Sequence, residues 1–449
     1  MQREFDVVVL GAGNAGIAAS NVVREAGRSV ALVEERDAGG TCPLRGCVPK
    51  KVLVAAAEVL DIIRRADRHG ISVGRPQLDW KKLIQRKRTF VEGVPAQLER
   101  GFWEQGIEYL RGSARFTGPH EVAVSGDTLR ASSFVIATGS RPRRLPIAGF
   151  EHAITSDDIL EMEELPSELV FIGGGVIAME FTHVFARAGT KVTILEAMPR
   201  LLPMFDAEVV EQLSQLTRGL GVEVHVGVKV EEIRRTGEGL EVRFEQNGTS
   251  RTLHASVVAN GAGRAPALDG LDLARAGVKL EKGSPVVHPD LSAEGNPDLY
   301  FTGDADPGRP QLSPVATWTG RIAANNLLGH ERIIPDYSSV PTVVFSIPAI
   351  ASVGVSEEMA KQRGLRYELK REDMRSWRSG RTYAEDLAFA KVLMEPNGGP
   401  ILGAQLAGHD AQEMIHVFAM AIRFGITARQ LKEFVCAYPT FHADLSYQV

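Results

Sequence analysis

The chain is poor in cysteine and in long apolar runs. It has three cysteines in 449 residues, which excludes a secreted fold held by several disulfides and favours a reducing compartment, where disulfides are mainly transient and catalytic. The first residues, MQREFDVVVLGAG, contain an apolar run that is too short for a signal peptide or a membrane span. We therefore expect a cytoplasmic protein.

A large excess of charge of one sign is also missing. The formal net charge is -5, with 44% hydrophobic and 24% charged residues. This balance gives no electrostatic reason to expect nucleic acid or a membrane surface as a partner. The length exceeds what one hydrophobic core usually serves, so the sequence predicts several domains.

Two segments have the same design. They are DVVVLGAGNAGIAASNVVREAGRSVALVEE (6–35) and LVFIGGGVIAMEFTHVFARAGTKVTILEA (169–197). Each is typical of a strand, a glycine-rich turn, an amphipathic helix and a second strand that ends at an acidic residue, Glu34 or Glu196. The acid stands at the roughly twenty-residue offset that a dinucleotide-binding unit requires. The sequence therefore predicts two nucleotide-binding units.

Three small residues in each unit carry the predicted geometry. The first permits a tight turn, the second lets the backbone approach a pyrophosphate at a helix N-terminus, and the third allows close packing of helix on strand. These residues are Gly11, Gly13 and Gly16 in the first unit, and Gly173, Gly175 and Ala178 in the second. Glu34 and Glu196 are expected to accept hydrogen bonds from ribose hydroxyls.

The stretch GGTCPLRGCVPKK (39–51) places Cys42 and Cys47 five positions apart. Zinc needs about four ligands, and no second Cys/His cluster follows. A static staple would close only a short loop and gain little stability. A redox pair fits better, because Arg45, Lys50, Lys51 and a helix start would lower a thiol pKa. A straight helix would separate the two Cα atoms by about 7.5 Å, so a local tightening is also predicted.

The remaining segments suggest further elements. Residues 52–110 have helical periodicity, the strand 134–137 leads into a turn, and DLYFTGDA ends in Gly303 and Asp304. A carboxylate at that edge of a sheet could meet the hydroxyls of a sugar. From about residue 335 the pattern changes to an α+β module with a helix over 411–424 and no nucleotide motif. We interpret this module as an interface domain.

Motifs along nearly the whole chain carry a family resemblance. GAGNAG, GGTCPLRGCVPKK, IATGSRPR, GGGVIAMEF, YFTGDA, VPTVVFSIPAIASVG and AYPTFHADL occur in this order. The chain thus resembles the flavin-dependent pyridine nucleotide-disulfide oxidoreductases, the family of glutathione reductase, dihydrolipoamide dehydrogenase and mercuric reductase. The resemblance implies an α/β fold with two Rossmann-like three-layer domains and a C-terminal α+β dimerisation domain. The implied domains are FAD-binding (1–142), NAD(P)-binding (143–262), a return to the FAD fold (263–335) and dimerisation (336–449).

The resemblance also implies roles for individual residues. Cys47 would be the flavin-proximal thiolate and Cys42 the outer thiol that attacks the substrate. Lys50 would lie near the flavin and pair with Glu180. Asp304 would contact the ribityl chain of FAD. The other residues implied in cofactor binding are Gly40, Thr41, Lys51, Ser113, Ala114, Thr138, Gly139, Gly263 and Leu312.

The second unit indicates which nicotinamide is used. NADP-using relatives tend to place arginines just after its second strand, whereas here Glu196 is followed by Ala197 and Met198. A carboxylate there should repel a 2′-phosphate and bind free hydroxyls, so we expect NADH. Arg200 leaves NADPH as an alternative cofactor.

The C-terminus departs from the disulfide-reducing relatives. They have a His-Pro-Thr motif, and its histidine, contributed across the dimer, moves protons. In this chain Tyr438 stands in place of that histidine. Ala443 stands at the offset of the usual glutamate, and Asp444 follows one position later. Tyrosine has a reference pKa near 10 and is a poor base near pH 7. His442 could substitute if it turns inward. We interpret Cys436 as a core residue.

These observations predict a homodimeric enzyme that passes hydride from NADH through FAD to the Cys42–Cys47 pair and then to a small disulfide, with an altered acid–base residue and no metal site. One alternative is the reduction of mercuric ion or a quinone, since mercuric reductase also has tyrosine near position 438, although its terminal cysteine pair is missing here. Another is a flavoprotein redox sensor without turnover, which the intact second nucleotide unit disfavours.

Overall fold

A computed structural model describes residues 2–237, 239–330 and 332–449. Its helices are α1 (Asn14–Glu25), α2 (Thr41–Arg45), α3 (Cys47–Arg64), α4 (Trp80–Arg88), α5 (Val94–Glu104), α6 (Ser156–Glu161), α7 (Val176–Ala188), α8 (Ala207–Gly219), α9 (Ser313–Leu327), α10 (Glu357–Gln362), α11 (Arg378–Thr382), α12 (Ala411–Phe424), α13 (Ala428–Glu433) and α14 (Leu445–Gln448). Short 3₁₀ helices cover Ala66–His69, Phe150–His152, Gly303–Ala305, Met374–Ser376 and Phe441–Asp444.

The strands are short, as in most globular proteins. They are β1 (Gln2–Leu10), β2 (Val30–Glu34), β3 (Glu108–Arg111), β4 (Ala114–Gly118), β5 (Glu121–Val124), β6 (Asp127–Ile136), β7 (Ser140–Pro142), β8 (Glu168–Ile172), β9 (Lys191–Glu196), β10 (Glu223–Val226), β11 (Lys229–Thr236), β12 (Gly239–Gln246), β13 (Thr249–Ala255), β14 (Val257–Asn260), β15 (Arg264–Pro266), β16 (Leu280–Glu281), β17 (Ser284–Pro285), β18 (Ser292–Ala293), β19 (Asn296–Phe301), β20 (Thr342–Val344), β21 (Ala349–Gly354), β22 (Glu368–Asp373), β23 (Phe389–Met394) and β24 (Ile401–Gly408).

The chain forms two compact units. The first comprises Met1–Lys50, Gln85–Arg143 and Arg264–Asp336, and the second comprises Lys51–Ile84, Arg144–Gly263 and Tyr337–Val449. The division into domains at 142, 262 and 335 that the sequence suggests stays a prediction.

The first unit is built on a sheet with the strand order β18-β19-β6-β1-β2-β3. Its central strands β19, β6, β1, β2 and β3 run parallel. Alternate residues of β1 enter two different cores, Val7 and Val9 on one face and Val8 and Leu10 on the other. Burial on both faces explains why β1 is a continuous apolar run. The α/β fold class is thereby confirmed.

The second unit contains three sheets. The parallel sheet has the order β10-β9-β8-β14, β11-β12-β13 forms an antiparallel sheet, and the C-terminal module has the antiparallel order β20-β21-β24-β23-β22. Helix α12 begins and ends where the sequence predicts, and its fully buried Ile415 and Phe418 belong to the core of the C-terminal module. The predicted α+β character of this module is confirmed.

Candidate active site

The first glycine motif lies between β1 and α1, at the carboxyl edge of the parallel strands. Gly11 has φ +106°, and a Cβ there would lie 2.3 Å from the carbonyl oxygen of Ala137. A Cβ on Gly16 would lie 1.8 Å from the carbonyl oxygen of Gly11. Both positions therefore require glycine, one for its backbone angle and the other for the close packing of α1 on the turn.

Glu34 ends β2 beside this motif. Its carboxylate accepts hydrogen bonds from the backbone N–H groups of Ala12 and Arg36, each at 2.8 Å. These bonds hold the acid against the glycine turn, where the sequence places a ribose.

A second loop, at residues 39–40, approaches the glycine turn closely through backbone atoms alone. Gly39 donates its N–H to the carbonyl of Ala12 at 2.8 Å. Gly40 has φ +68°, and a Cβ there would lie 2.8 Å from the Cα of Gly13. The two backbones thus form a cradle at the N-terminus of α1, which suits the pyrophosphate of a dinucleotide.

The carboxylate of Asp304 lies in the 3₁₀ helix after β19. Burial raises its pKa, while a hydrogen bond from Ser140 Oγ at 2.8 Å and the charge of Arg264 oppose the rise. The Nε of Arg264 in turn donates to Ser140 Oγ at 2.9 Å. Thr138 lies two positions before Ser140, and its Oγ1 is buried with no hydrogen-bond partner in the described chain. A ligand with hydroxyl groups would satisfy such an atom, so these residues fit the FAD that the resemblance implies.

The other predicted flavin positions lie on several elements. Thr41 begins α2, Ala114 begins β4, and Leu312 precedes the first residue of α9. Ser113 Oγ donates to Glu35 at 3.4 Å, and Gly139 has φ +70°. Their contacts with a cofactor stay predictions.

Lys51 belongs to the second unit. Its ammonium lies 2.9 Å from Glu58 Oε1 and 4.8 Å from the ring centroid of Phe345. These neighbours suit a packed surface ion pair. Its predicted contact with the cofactor is untested.

The cysteine pair spans a break between two helices. Cys42 lies in α2, Cys47 is the first residue of α3, and Gly46 interrupts the helix between them with φ -145° and ψ -117°. A Cβ on Gly46 would lie 3.0 Å from the carbonyl oxygen of Thr41. The break brings the two thiols into hydrogen-bond contact, as the predicted local tightening requires. Both cysteines are free thiols in this structure.

The two thiols have opposite pKa shifts. Its pKa is lowered to about 6, chiefly because the Cys47 thiol donates a hydrogen bond to it, with help from Ser313, Asn14 and the charge of Lys50. The pKa of Cys47 is raised, first because of that same hydrogen bond and then because of burial and the charge on Cys42. The implied flavin-proximal role of Cys47 stays a prediction.

Two residues that support Cys42 were missed from the sequence. Ser313 Oγ donates to Cys42 Sγ at 3.1 Å, and Asn14 Nδ2 donates to Ser313 Oγ. Asn14 stands inside the first glycine motif, and Ser313 directly follows Leu312. Neither residue has a periodicity or spacing that points to a thiol, because the contact joins α1, α2 and α9 across almost the whole first unit.

We expect the alkylation of Cys42 by iodoacetamide, in enzyme reduced with dithiothreitol and desalted anaerobically, to rise with pH through a midpoint near the Cys42 pKa of about 6. The thiolate is the nucleophile, so the rate falls as pH drops below this value. Peptide mass spectrometry at a series of pH values measures the rate of Cys42 alkylation. Ser313→Ala should move the midpoint upward because it removes a donor to the thiolate. A midpoint near the ordinary thiol pKa of about 8.5 would contradict the prediction.

The second glycine motif repeats the first. Gly173 has φ +98°, and a Cβ there would lie 2.6 Å from the backbone nitrogen of Ala262. Gly175 precedes the first residue of α7, and Ala178 is fully buried within that helix. Gly263, in the loop after β14, has φ +87°. The repeated backbone geometry indicates a second dinucleotide site.

Glu196 occupies the position that corresponds to Glu34. Its carboxylate accepts hydrogen bonds from the N–H groups of Gly174 and Met198, the latter at 2.7 Å. Arg200 follows closely, but its guanidinium donates to three backbone carbonyls, those of Leu202, Pro203 and Phe205. Its guanidinium also lies 3.6 Å from Glu358 Oε2, so the nearest cation in sequence already has several partners.

Helix α7 presents three polar side chains to residues 345–347. Glu180 Oε1 accepts the N–H of Phe345 at 2.9 Å. His183 Nδ1 accepts the N–H of Ile347 at 3.0 Å, and Arg187 Nη2 donates to the carbonyl of Ile347 at 2.7 Å. Burial and the charge of Arg187 hold the pKa of His183 well below its usual value, so this imidazole is neutral. The predicted pairing of Glu180 with Lys50 is untested.

The C-terminal segment holds Tyr438 on an exposed surface. Its phenol oxygen accepts a hydrogen bond from Arg378 Nη1. Asp444, the acid nearest to the missing glutamate position, accepts a hydrogen bond from Ser379 Oγ. His442 is partly exposed, and no side-chain hydrogen bond or ion pair involves it in the described ranges. Its predicted role stays a prediction.

Cys436 is not a core residue. It is only partly buried, and its neighbours Phe434, Val435 and Tyr438 are exposed. The expectation is wrong because the segment after α13 runs over the surface of the chain.

We also searched the part of the chain that the structure describes for metal-ligand clusters and membrane-spanning helices. Within it, no group of three or more His, Cys, Asp or Glu side chains could hold a metal ion. No helix there has the length and apolar character that a membrane crossing needs.

Two family models match the chain. Residues 5–320 match the model for pyridine nucleotide-disulphide oxidoreductases, and residues 340–447 match the dimerisation domain of the same family. The chain is 33% identical to dihydrolipoyl dehydrogenase of Chlamydia muridarum over 98% of this chain and 95% of that protein. It is 32% identical to glutathione reductase of Burkholderia cepacia, over 98% and 97%. It is 30% identical to mercuric reductase of Staphylococcus aureus, over 98% and 81%.

The described site is consistent with this family. It contains paired thiols, a glycine cradle that suits one dinucleotide and a second glycine motif that suits another. The chain therefore belongs to the pyridine nucleotide-disulphide oxidoreductases and is an oxidoreductase that uses FAD and NAD(P)H.

Proposed function

We propose that this enzyme oxidises NADH and uses Cys42 and Cys47 to reduce a small disulfide. The observation that carries the proposal is the hydrogen-bonded thiol pair, with the pKa of Cys42 lowered to about 6. A thiolate with that pKa is ready to attack a disulfide near neutral pH. The relatives named dihydrolipoyl dehydrogenase and glutathione reductase support the same class of reaction.

FAD, held by the first glycine motif, would supply two-electron transfer between the reduced nicotinamide and the thiol pair. The cradle at Gly13 and Gly40 would receive its pyrophosphate, and Glu34 would bind its ribose hydroxyls. Asp304 and the unpartnered hydroxyl of Thr138 would meet its polar chain.

NADH is favoured over NADPH by the second glycine motif. The Glu196 carboxylate lies at the end of β9, where it would repel a 2′-phosphate and accept the hydroxyls of an unphosphorylated ribose. Arg200, the cation that could bind the phosphate, donates to Leu202, Pro203 and Phe205 instead. A 2′-phosphate that bound Arg200 would compete with these carbonyl partners.

The thiols would act in sequence. The Cys42 thiolate attacks one sulfur of the substrate disulfide, so that a Cys42–substrate disulfide forms and the other half leaves as a thiolate. Cys47 then attacks the Cys42 sulfur, closes the Cys42–Cys47 disulfide and releases the second half. Two electrons pass from the pair to the substrate. Lys50 favours this chemistry because its charge stabilises thiolate in the pair.

A homodimer completes the proposal. The C-terminal residues match a dimerisation domain, and that part of the chain exposes the large apolar side chains of Phe424, Phe434, Val435 and Tyr447. Exposed apolar side chains of this size suit an interface with a second copy. In this dimer Tyr438 of one copy would face the cysteine pair of the other. We place the protein in the cytoplasm, where a transient disulfide can cycle.

Anaerobic stopped-flow reduction of the FAD-loaded protein, followed by steady-state assays, tests this function. We expect faster reduction by NADH than by NADPH, a long-wavelength thiolate-to-flavin absorption band, and NADH oxidation with at least one of glutathione disulfide, lipoamide, coenzyme A disulfide or bis-γ-glutamylcystine. No turnover with any of these disulfides would contradict the disulfide assignment.

Mercuric ion is the second candidate acceptor, because the mercuric reductase relative covers 98% of this chain. Cys42→Ser distinguishes quinone reduction from the reduction of a disulfide or of mercuric ion. It should abolish turnover of a disulfide or of mercuric ion, which both need the thiol, while leaving reduction of a quinone in place.

A further inference from the structure

Arg378 makes two contacts with Tyr438. Its Nη1 donates a hydrogen bond to the phenol oxygen, and its guanidinium carbon lies 5.8 Å from the centroid of the tyrosine ring. With this contact in place, Tyr438 is still 65% exposed. Arg378 therefore holds a side chain that little else in its own chain restrains.

The segment that carries Tyr438 is fastened to the same region. Ser379 Oγ donates to Asp444, Trp377 meets the ring of Tyr447 edge-on at 5.8 Å between centroids, and Gln448 Nε2 lies 3.1 Å from Met374 Sδ. The anchored backbone limits where the phenol can go, and Arg378 sets the direction of its oxygen.

The direction matters for proton transfer. A guanidinium has only N–H donors and stays protonated in proteins, so it occupies a lone pair of the phenol oxygen and cannot accept the phenol proton. The O–H bond must then point away from Arg378. A tyrosine held in this way is arranged to donate a proton outward.

We propose that Arg378 is a positioning residue that makes Tyr438 the proton donor to the thiolate leaving the substrate. The inference rests on the disulfide reduction and the homodimer proposed above. The Cys42 thiolate forms a bond to one substrate sulfur, the substrate S–S bond breaks, and its electron pair stays on the departing sulfur. Tyr438 transfers its proton to that sulfur, giving a neutral thiol and a phenolate that solvent reprotonates.

Arg381 provides the matched control. It lies on α11, three residues after Arg378, and it is also exposed. Within the described ranges its side chain makes no hydrogen bond, ion pair or ring contact. Arg381→Gln removes the same charge from the same helix without touching Tyr438, so it reports what charge alone contributes to the binding of an anionic substrate.

The experiment follows one half-reaction without flavin turnover. In a Cys47→Ser background the reduced, full-length protein is mixed with glutathione disulfide or lipoamide, and mass spectrometry and thiol release follow the formation of the Cys42–substrate disulfide. Tyr438→Phe should slow this step about tenfold or more, since general acids typically contribute 10²- to 10⁴-fold. Arg378→Gln should slow it similarly, Arg378→Lys should restore part of the rate, and Arg381→Gln should not slow it.

The double variant decides the mechanism. If Arg378 acts through Tyr438, adding Arg378→Gln to Tyr438→Phe causes little further loss. Full additivity of the two losses, or an equal loss in Arg381→Gln, overturns the inference while disulfide reduction still stands. A Cys47→Ser protein that forms no mixed disulfide with any disulfide overturns the proposed function itself. Arg378→Lys keeps the charge, so its rate is interpretable even if Arg378→Gln loosens the C-terminal segment.

Discussion

Replacement of Cys47 by serine is expected to lower NADH-dependent disulfide turnover by on the order of 10⁴-fold, the scale on which loss of one member of a covalent catalytic group acts. Cys42 would still attack the substrate, but no second thiol remains to release it, so the enzyme stalls as a mixed disulfide. Steady-state NADH oxidation measures the loss, and mass spectrometry of the stalled enzyme should show one substrate half attached at Cys42.

Cys436→Ser is the control for this prediction, because Cys436 lies in the surface segment after α13 and has no part in the proposed chemistry. Its turnover should match that of the unmodified enzyme. Substantial turnover in Cys47→Ser would mean that the pair is not the route to the substrate. A large loss in Cys436→Ser would show that the third cysteine takes part.

Lys391→Met is expected to destabilise the fold by about 3–5 kcal/mol, the usual result of leaving a buried charge without its partner. The Lys391 side chain is 5% exposed, and its ammonium lies 2.7 Å from Glu357, 3.0 Å from Asp206 and 3.5 Å from Glu208. Asp206, whose side chain is 3% exposed, also caps α8 through the N–H of Glu208. Urea unfolding measures the change in the free energy of unfolding.

Two further variants check that a stranded carboxylate is the cause. Lys361→Met removes an exposed partner of the same Glu357 and should change the free energy of unfolding little, because exposed ion pairs contribute little. Asp206→Asn in the Lys391→Met background should recover part of the loss, since it removes the charge that was left alone. If Lys391→Met is no worse than Lys361→Met, the buried cluster is not a main support of the second unit.

The glycine motifs could be predicted from sequence because their constraints are local. A Cβ on Gly16 would meet the backbone of Gly11 within the same strand–turn–helix unit, and Glu34 bonds to Ala12 and Arg36. Such contacts depend on spacing along the chain, which the sequence displays directly. The helix break between Cys42 and Cys47 follows from their spacing in the same way.

The charge distribution in the site could not be predicted in this way. The sequence suggested that Arg45, Lys50 and Lys51 would act on the thiols. The structure gives the main influence to the Cys47 hydrogen bond, followed by Ser313 and Asn14, with Lys50 as the contributing cation. From the sequence alone, Arg200 left NADPH as a possible cofactor. The structure shows that the guanidinium of Arg200 donates to three backbone carbonyls.

The sequence by itself determined the βαβ units, the paired thiols and the loss of the usual histidine at Tyr438, because each depends on residue type and short-range spacing. The tertiary structure decided which thiol has the lowered pKa and which residue holds Tyr438. Those answers depend on hydrogen bonds between segments distant in sequence, such as Cys42 with Ser313 and Tyr438 with Arg378. Hydrogen bonds form only within about 3 Å, so packing, and not order along the chain, selects the partners.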